Sequence, residues 1–266
     1  MSILTVSRQF GSGGREIARA VASELNYDYV DKQRILEDIR AEGAEWEKWG
    51  EALDEHCPSV WEKYDWSFRG FAALVQSIII NHALKGNVVI IGRGGNFLLK
   101  DIASAFRVRI TAPLENRIDR VIKRQESIGM ESAKWLIEKT EAENTCFMRT
   151  IYGKEWNDPA EYDMVFDTHA QGKDIIVSII KTALLKKDRF AGETEELRMR
   201  AEAAKIKAAL LTNPGFLIPT VDVFHEGDVI VIRGIVHSAK EHKAVEDEAK
   251  SIAKDLPVRC ELHYRK

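Results

Sequence analysis

Short apolar runs alternate with stretches of helical spacing over the first 186 residues of the chain. In the helical stretches apolar residues recur every three or four positions, as they do over residues 71–79. Strand–helix alternation of this kind predicts an α/β fold with a parallel sheet that helices cover on both faces. The predicted strands lie at residues 3–6, 27–30, 88–91, 108–110 and 164–166.

The pattern changes after residue 186. Residues 187–196 are polar and contain a glycine, which predicts a linker. Beyond the linker the apolar positions predict a helix, a hairpin of strands at 221–224 and 229–232, a second helix, and a strand at 258–262. The chain is therefore predicted to form a larger unit at 1–186 and a small α+β unit, ordered αββαβ, at 197–266.

Composition narrows the class of protein. The 266 residues carry a net charge of −3, so nothing global favours nucleic acid or a membrane surface as a partner. No run approaches the ~20 apolar residues of a membrane span, and no signal peptide is evident, which predicts a cytoplasmic protein. The cysteines (Cys57, Cys146 and Cys260) are few, odd in number and widely spaced, so we expect no disulfide framework, no metal motif and a reducing compartment.

A glycine-rich turn joins the first predicted strand to the first predicted helix, at residues 11–14 (Gly-Ser-Gly-Gly). Glycines let a phosphate approach the backbone, and the N–H groups of the loop and helix start point toward it. A P-loop ends in Gly-Lys-Ser/Thr, whereas Gly13 is followed by Gly14 and Arg15. The lysine for the phosphates and the hydroxyl for Mg²⁺ are both missing, so a phosphate cradle and a plain turn remain open on this motif alone.

Other polar residues also come directly after predicted strands. Asp31, the pair Gly92-Arg93 and the pair Asp167-Thr168 each take such a position, as the glycine turn does. Ligands of parallel sheets bind at the carboxyl ends of the strands. We therefore expect these residues to converge on one crevice. Every candidate phosphate ligand precedes residue 170, so we expect the C-terminal unit to be dispensable for that chemistry.

Several segments together resemble a known family. Residues 88–96 (VVIIGRGGN) and 106–120 (FRVRITAPLENRIDR) are similar to cytidylate kinases, which carry a strand ending in Gly-Arg-Asp, a strand ending in Thr-Ala, and an arginine-bearing helix. Residues 7–17 (SRQFGSGGREI), 29–31 and 152–162 (YGKEWNDPAEY) closely resemble the divergent cytidylate kinase-like branch. This resemblance covers residues 1–186, and the tail resembles a BON-type domain through its hairpin.

The resemblance implies a nucleoside-monophosphate kinase fold of the P-loop type, with a parallel five-stranded sheet, flanking helices and an arginine-bearing lid. It implies ATP and Mg²⁺ as cofactors and CMP, dCMP or a related nucleotide as the acceptor of the phosphoryl group. Nucleotides are then the partners, and homo-oligomerisation stays open. The alternative is a nucleotide-binding protein with weak catalysis that signals through the C-terminal unit, which the missing lysine and hydroxyl favour.

The resemblance and the strand ends nominate the site residues. Arg15, or else Arg8, is the cation that would replace the missing lysine of the glycine loop. In the Gly-Arg-Asp motif, Gly94 takes the position of the aspartate. The spacing predicts no metal ligand. The donor-phosphate candidates are Arg8, Gly11, Ser12, Gly13, Gly14 and Arg15; the acceptor candidates are Asp31, Arg93 and Asn96; the lid candidates are Arg117, Arg120 and Arg149; the catalytic candidates are Arg15, Arg120 and Arg149.

Structural roles compete with functional ones at several of these positions. Asp31 could instead cap the helix that starts at Lys32. Arg117, Arg120 and Arg124 share a helix face, which could simply be solvated. Aromatic residues crowd positions 46–71, where we expect a core or dimer-contact role, with stacking on a base as the alternative: Trp46, Trp49, Trp61, Tyr64, Trp66, Phe68 and Phe71.

Overall fold

The computed structural model of the chain describes residues 1–43, 46, 49, 57–59, 61, 62, 65–125, 128–190, 194–216, 218 and 220–265. Its larger sheet has five parallel strands in the order β2-β3-β1-β4-β5. All five predicted strands are present, so the predicted α/β fold is confirmed. The strands are β1 Ile3–Arg8, β2 Asp28–Val30, β3 Val88–Ile91, β4 Ala105–Thr111 and β5 Met164–Asp167.

Helices connect these strands and cover both faces of the sheet, as parallel strands require. None of the helices in the described ranges is long and apolar enough to cross a membrane. The helices are α1 Gly14–Leu25, α2 Lys32–Glu42, α3 Trp66–Lys85, α4 Gly95–Leu98, α5 Leu114–Arg124, α6 Met130–Tyr152 and α7 Lys173–Lys187.

The two faces of the sheet carry separate hydrophobic clusters. Leu4 and Val6 of β1 pack with α1 and α7 on one face. Ile3 of β1 and Ile90 of β3 pack with α2 and α3 on the other face. The alternation follows from the pleat, since successive side chains of a strand point to opposite faces. The carboxyl ends of the strands lead into the candidate site.

The C-terminal part forms a second sheet of three strands in the order β6-β7-β8. The strands are β6 Thr220–Glu226, β7 Val229–Val236 and β8 Val258–Tyr264, with helices α8 Glu195–Thr212 and α9 Ala239–Ala253. The predicted order αββαβ is therefore confirmed, while the resemblance to a BON-type domain stays a prediction. Within the predicted linker, a short helical turn spans Asp188–Phe190, and residues 191–193 lie outside the described residues.

Helix α8 contributes to the hydrophobic cores on both of its sides. Leu197 and Ala201 pack in the cluster that includes α3, while Ile206 and Leu210 pack with the three-stranded sheet. At Gly70 of α3 the contact is so close that an added Cβ would lie 2.7 Å from the Leu211 carbonyl oxygen. The division of the chain into two units stays a prediction, but α8 completes the core beside α3.

The structure contradicts one expectation about the cysteines. Cys57 and Cys146 form a disulfide, with their Cα atoms 5.1 Å apart and 89 residues between them in sequence. The expectation of no disulfide is wrong for this pair because only tertiary contact brings its members within bonding distance. Cys260 is a free thiol on β8, and burial raises the pKa of this thiol.

The aromatic residues between positions 46 and 71 mostly serve the core. Trp46, Phe68 and Phe71 are buried in the cluster around α3. Trp49 is partly buried and donates its indole N–H to Ser67. Trp61 is 85% exposed, and Tyr64 lies outside the described residues. The core role that the sequence favours is therefore confirmed for the buried members.

Candidate functional site

The glycine loop lies between β1 and α1 in a conformation that requires glycine. Gly11 and Gly13 have φ angles of 80° and 85°, in the left-handed region. An added Cβ at Gly14 would lie 2.5 Å from the Cβ of Arg8. The first N–H groups of α1 have no acceptor within the helix, so they are available to an anion. Ser12 is fully buried, and its Oγ has no hydrogen-bond partner among the described residues, which a bound phosphate oxygen would supply.

Arg120 of α5 holds this loop in place. Its Nη1 donates to the Ser12 carbonyl at 2.8 Å and to the Thr168 hydroxyl at 2.7 Å. The Thr168 hydroxyl in turn donates to the same Ser12 carbonyl at 2.8 Å. The Arg120 Nη1 also lies 3.7 Å from the position that a Cβ of Gly13 would take. A guanidinium from a distant helix therefore borders the loop that lacks its own lysine.

A buried ion pair joins α5 to α6 beside the loop. Arg117 is 6% exposed, and its Nη1 donates to the Glu141 carboxylate at 2.6 Å. Burial raises the pKa of the Glu141 carboxyl, and the positive charge of Arg117 opposes that rise. Arg124 packs over the ring of Phe10, the residue that precedes the loop. The face that Arg117 and Arg120 share is therefore turned to the loop and to α6 rather than to solvent.

The remaining arginine candidates differ in position. The Cβ of Arg8 backs the loop, as described above. Arg15 is exposed on the first turn of α1. Arg149 of α6 is also exposed and donates through Nε and Nη2 to the carboxylate of Glu155, at 2.9 Å each. The structure thus brings Arg8 and Arg120 to the loop and leaves Arg15 and Arg149 on the surface.

The acceptor candidates lie after β2 and β3. Asp31 accepts hydrogen bonds from the N–H groups of Gln33 and Arg34, so it caps α2. Arg93 follows β3 with a φ of 58° and is 6% exposed. Asn96 of α4 is 2% exposed, and its Nδ2 has no hydrogen-bond partner in the part of the chain that the structure describes.

Tyr152, the last residue of α6, lies against the turn that holds Arg93. Its hydroxyl donates to the Arg93 carbonyl at 2.6 Å, and its ring lies 5.4 Å from that of Phe97. Gly94 has a φ of 72°, and an added Cβ there would lie 2.2 Å from the Tyr152 ring. The aromatic ring therefore occupies the space of a side chain at position 94, and an aspartate there would clash with it.

Two buried arginines of β4 were not nominated from the sequence. Arg109 is 4% exposed, donates to the Trp156 carbonyl at 3.0 Å, and stacks on the Trp156 ring at 4.4 Å. The Trp156 indole N–H donates to Ser7 Oγ at 2.7 Å, just before the glycine loop. Arg107 forms an ion pair with Asp163. The available signal was the alternation Phe-Arg-Val-Arg-Ile, which places both arginines on one face of a buried strand.

A cleft of about 560 Å³ opens beside α6. Glu141 and Arg149 give it charges of both signs, and Asn157, which accepts a hydrogen bond from Arg109, also lines it. Its other lining residues are Ala142, Thr145, Cys146 and Thr150.

The donor set gives no support for a dedicated metal centre. No group of three or more His, Cys, Asp or Glu side chains that could hold a metal ion occurs within the described ranges. Mg²⁺ in nucleotide sites keeps several waters and is bound through phosphates and one or two carboxylates. The described residues therefore do not fit a site in which the protein alone would cage the ion.

Comparison with a solved structure bears out the fold. A crystal structure of an uncharacterized protein from Eubacterium ventriosum superposes with a TM-score of 0.55 at 18% identity, covering 69% of this chain and 98% of that chain. At this identity the likeness concerns the fold alone. The five-stranded parallel sheet with its flanking helices therefore recurs in another protein.

Sequence comparison identifies the family. The cytidylate kinase of Pyrococcus horikoshii is 28% identical over 182 residues, which are 68% of this chain and 88% of that protein. The cytidylate kinase of Thermococcus kodakarensis is 28% identical over 196 residues, which are 73% of this chain and 94% of that protein. The model of the cytidylate kinase-like family matches residues 3–170. The chain belongs to the cytidylate kinase-like family.

Proposed function

We propose that the protein transfers a phosphoryl group from ATP to a nucleoside monophosphate, with CMP or dCMP as the first acceptors to consider. Family membership and the two relatives named cytidylate kinase support this assignment. The observation that carries it is the glycine loop with the unpartnered hydroxyl of Ser12 in its bend and the Arg120 guanidinium at its edge. This combination is suited to the phosphates of a nucleotide.

We infer that the donor binds at the glycine loop. Phosphoryl transfer depends mainly on positioning and on neutralising charge at the phosphoryl oxygens. The loop amides and the Ser12 hydroxyl would hold the phosphates, and Arg120, whose planar fork suits phosphate, would face the oxygens that gain charge. Arg15 and Arg149 lie on the surface, so a catalytic role for either requires a movement of its side chain.

We propose that the acceptor binds at the neighbouring strand end. Arg93 follows β3, which pairs with β1 in parallel, so both strands end at the same edge of the sheet. We propose that Arg93 binds the acceptor and that the unpartnered Nδ2 of Asn96 donates to it. Asp31 caps α2, and a contact with the acceptor would be additional to that role.

One assay tests the proposed function. The full chain with ATP and Mg²⁺ is given CMP, dCMP, UMP, AMP or shikimate in separate reactions, and ADP release is measured. We expect the largest kcat/KM with CMP or dCMP and background release with shikimate. ADP release at the background rate with all four nucleotides contradicts the proposed function, and a preference for UMP or AMP revises the acceptor.

Substitution of Gly13 should impair donor binding. Gly13→Val places a branched side chain in the cradle at a φ of 85°, where Arg120 lies 3.7 Å from the new Cβ. ATP affinity measured by calorimetry should fall at least about tenfold, or ~1.4 kcal/mol. Gly172→Val is the matched control, because nothing lies within 4 Å of a Cβ there. Unchanged ATP affinity in a folded Gly13→Val protein assigns the phosphates to another place.

Substitution of Arg93 should separate acceptor from donor. Arg93→Lys retains the positive charge and removes the planar fork that binds two oxygens at once. The KM of the acceptor should rise by about tenfold, which corresponds to ~1.4 kcal/mol, while the KM of ATP changes little. Steady-state kinetics with each substrate varied in turn measure the two KM values. Equal rises in the two KM values place Arg93 outside the acceptor site.

A further inference from the structure

The Cys57–Cys146 disulfide joins α6, which lines the cavity in which Arg93 lies, to the chain that precedes α3. Cys146 belongs to α6 and directly precedes Phe147, a wall residue. Cys57 precedes Trp66, the first residue of α3, in the chain, and side chains of α3 line the same cavity. The cavity is bounded by Arg93, by Phe68 and Phe71 of α3, and by Phe147, Ile151 and Tyr152 of α6, among others.

The walls enclose Arg93 tightly. The cavity measures about 20 Å³, whereas pockets for small molecules measure about 300–1,000 Å³. Arg93 itself is 6% exposed, and Tyr152 closes the turn behind it through the hydrogen bond to the Arg93 carbonyl. Access of a nucleotide to Arg93 through this cavity therefore requires α6 to move away from α3. A covalent link between α6 and the chain just before α3 opposes that movement.

The disulfide is also reachable from outside. Cys57 is exposed, and Cys146 lines the cleft of about 560 Å³ beside α6. A small thiol or disulfide can therefore approach the sulfur atoms without unfolding of the core. Cys260, in contrast, lies on β8 of the C-terminal sheet, and burial raises its pKa.

We propose that Cys57 and Cys146 form a reversible redox-modification site that reacts with low-molecular-weight thiols and disulfides and controls access to Arg93. The disulfide form holds α6 against the start of α3 and keeps the acceptor cavity closed. The dithiol form releases α6. The inference rests on the proposed function in so far as Arg93 is the acceptor-binding residue.

The chemistry is thiol–disulfide exchange with a small disulfide such as oxidised glutathione. The thiolate of exposed Cys57 attacks one sulfur of that disulfide, forms a mixed disulfide and releases one glutathione thiolate. The Cys146 thiolate then attacks the Cys57 sulfur, which forms the Cys57–Cys146 bond and releases the second glutathione. The two cysteines lose two protons and two electrons, and the small disulfide gains them as two thiols.

Arginine labelling tests the proposal without relying on catalysis. The full chain is prepared with oxidised glutathione or with dithiothreitol, and the cysteine state is verified by alkylation and intact mass. Phenylglyoxal then labels exposed arginines, and mass spectrometry of peptides gives the labelling rate at Arg93. We expect at least about fivefold faster labelling of Arg93 in the dithiol form, because the open fraction rises. Arg15, exposed in the structure, should label equally in both forms.

Two variants and one kinetic measurement complete the test. Cys57→Ser should label at the dithiol rate under both conditions, and Cys260→Ser should respond as the unaltered chain does. Where CMP is phosphorylated, its KM should be at least about fivefold higher in the disulfide form, with ATP affinity unchanged. Equal Arg93 labelling in two verified redox states overturns the proposal. Labelling that responds to redox in a chain that phosphorylates no nucleotide overturns the proposed function alone.

Discussion

A chain that ends at Lys187 should lose cooperative folding, although every candidate phosphate ligand precedes that residue. Helix α8 would be missing, and with it Leu197 and Ala201, which are 3% exposed and pack in the core beside α3. The apolar residues of α3 that α8 covers, including Ala73 and Leu74, would face water. Fully burying one leucine is worth about 1.5–3 kcal/mol, and a whole domain has only about 5–15 kcal/mol of stability.

The measurement is urea denaturation of the truncated and full chains, followed by circular dichroism. We expect the truncated chain to show a broad transition or none, or to aggregate. A point variant gives the same information in the full chain. Ala201→Glu buries a charge between α8 and α3, whereas Lys205→Glu changes the charge at an exposed position of the same helix. We expect Ala201→Glu to lower the free energy of unfolding by about 3 kcal/mol and Lys205→Glu to lower it by less than about 0.5 kcal/mol.

The sequence favours the opposite outcome, because residues 187–196 resemble a linker and residues 197–266 have their own αββαβ pattern. The packing of α8 argues against a dispensable tail. A truncated chain with a sharp transition at the urea midpoint of the full chain would show that α8 contributes little, and that the larger unit folds alone.

The second large effect is expected at Gly94. Gly94→Asp introduces the residue that the cytidylate kinase pattern carries, yet it should destabilise this protein. The new Cβ would lie 2.2 Å from the Tyr152 ring, at a φ of 72°. Overpacking costs about 1–3 kcal/mol and the left-handed conformation about 1–2 kcal/mol, so we expect a loss of about 3 kcal/mol in the free energy of unfolding.

A double-mutant cycle separates the clash with the Tyr152 ring from the backbone strain at position 94. Tyr152→Ala removes the ring, so the double variant Gly94→Asp/Tyr152→Ala should be more stable than the sum of the single losses by at least about 1 kcal/mol. Gly153→Asp is the matched control, because it shares the positive φ, at 62°, and has no atom within 4 Å of a new Cβ. Gly153→Asp should lower the free energy of unfolding by only ~1–2 kcal/mol, which is the cost of the backbone strain. If the two aspartate variants lose the same stability, the Tyr152 ring does not restrict position 94.

Local patterns in the sequence determine the elements of this protein. Apolar runs place every strand of the larger sheet. The structure extends β1, β4 and β5 by one to four residues, keeps β3 as predicted, and begins β2 one residue later. The glycine loop is also local, because the left-handed φ of Gly11 and Gly13 is a property that glycine alone adopts without strain. Asp31 caps the helix that follows it, which depends only on residues two and three positions away. These features involve neighbours in the chain, so their residue types and spacing suffice.

The tertiary structure decides which distant residues meet. It brings the Arg120 guanidinium to the Ser12 carbonyl, places the Tyr152 ring against Gly94, and joins Cys57 to Cys146. It buries Arg109 under Trp156 and inserts α8 beside α3. Each contact joins segments far apart in sequence. Such contacts depend on how whole helices and strands pack against one another. The spacing of residues within one helix or strand therefore does not predict them.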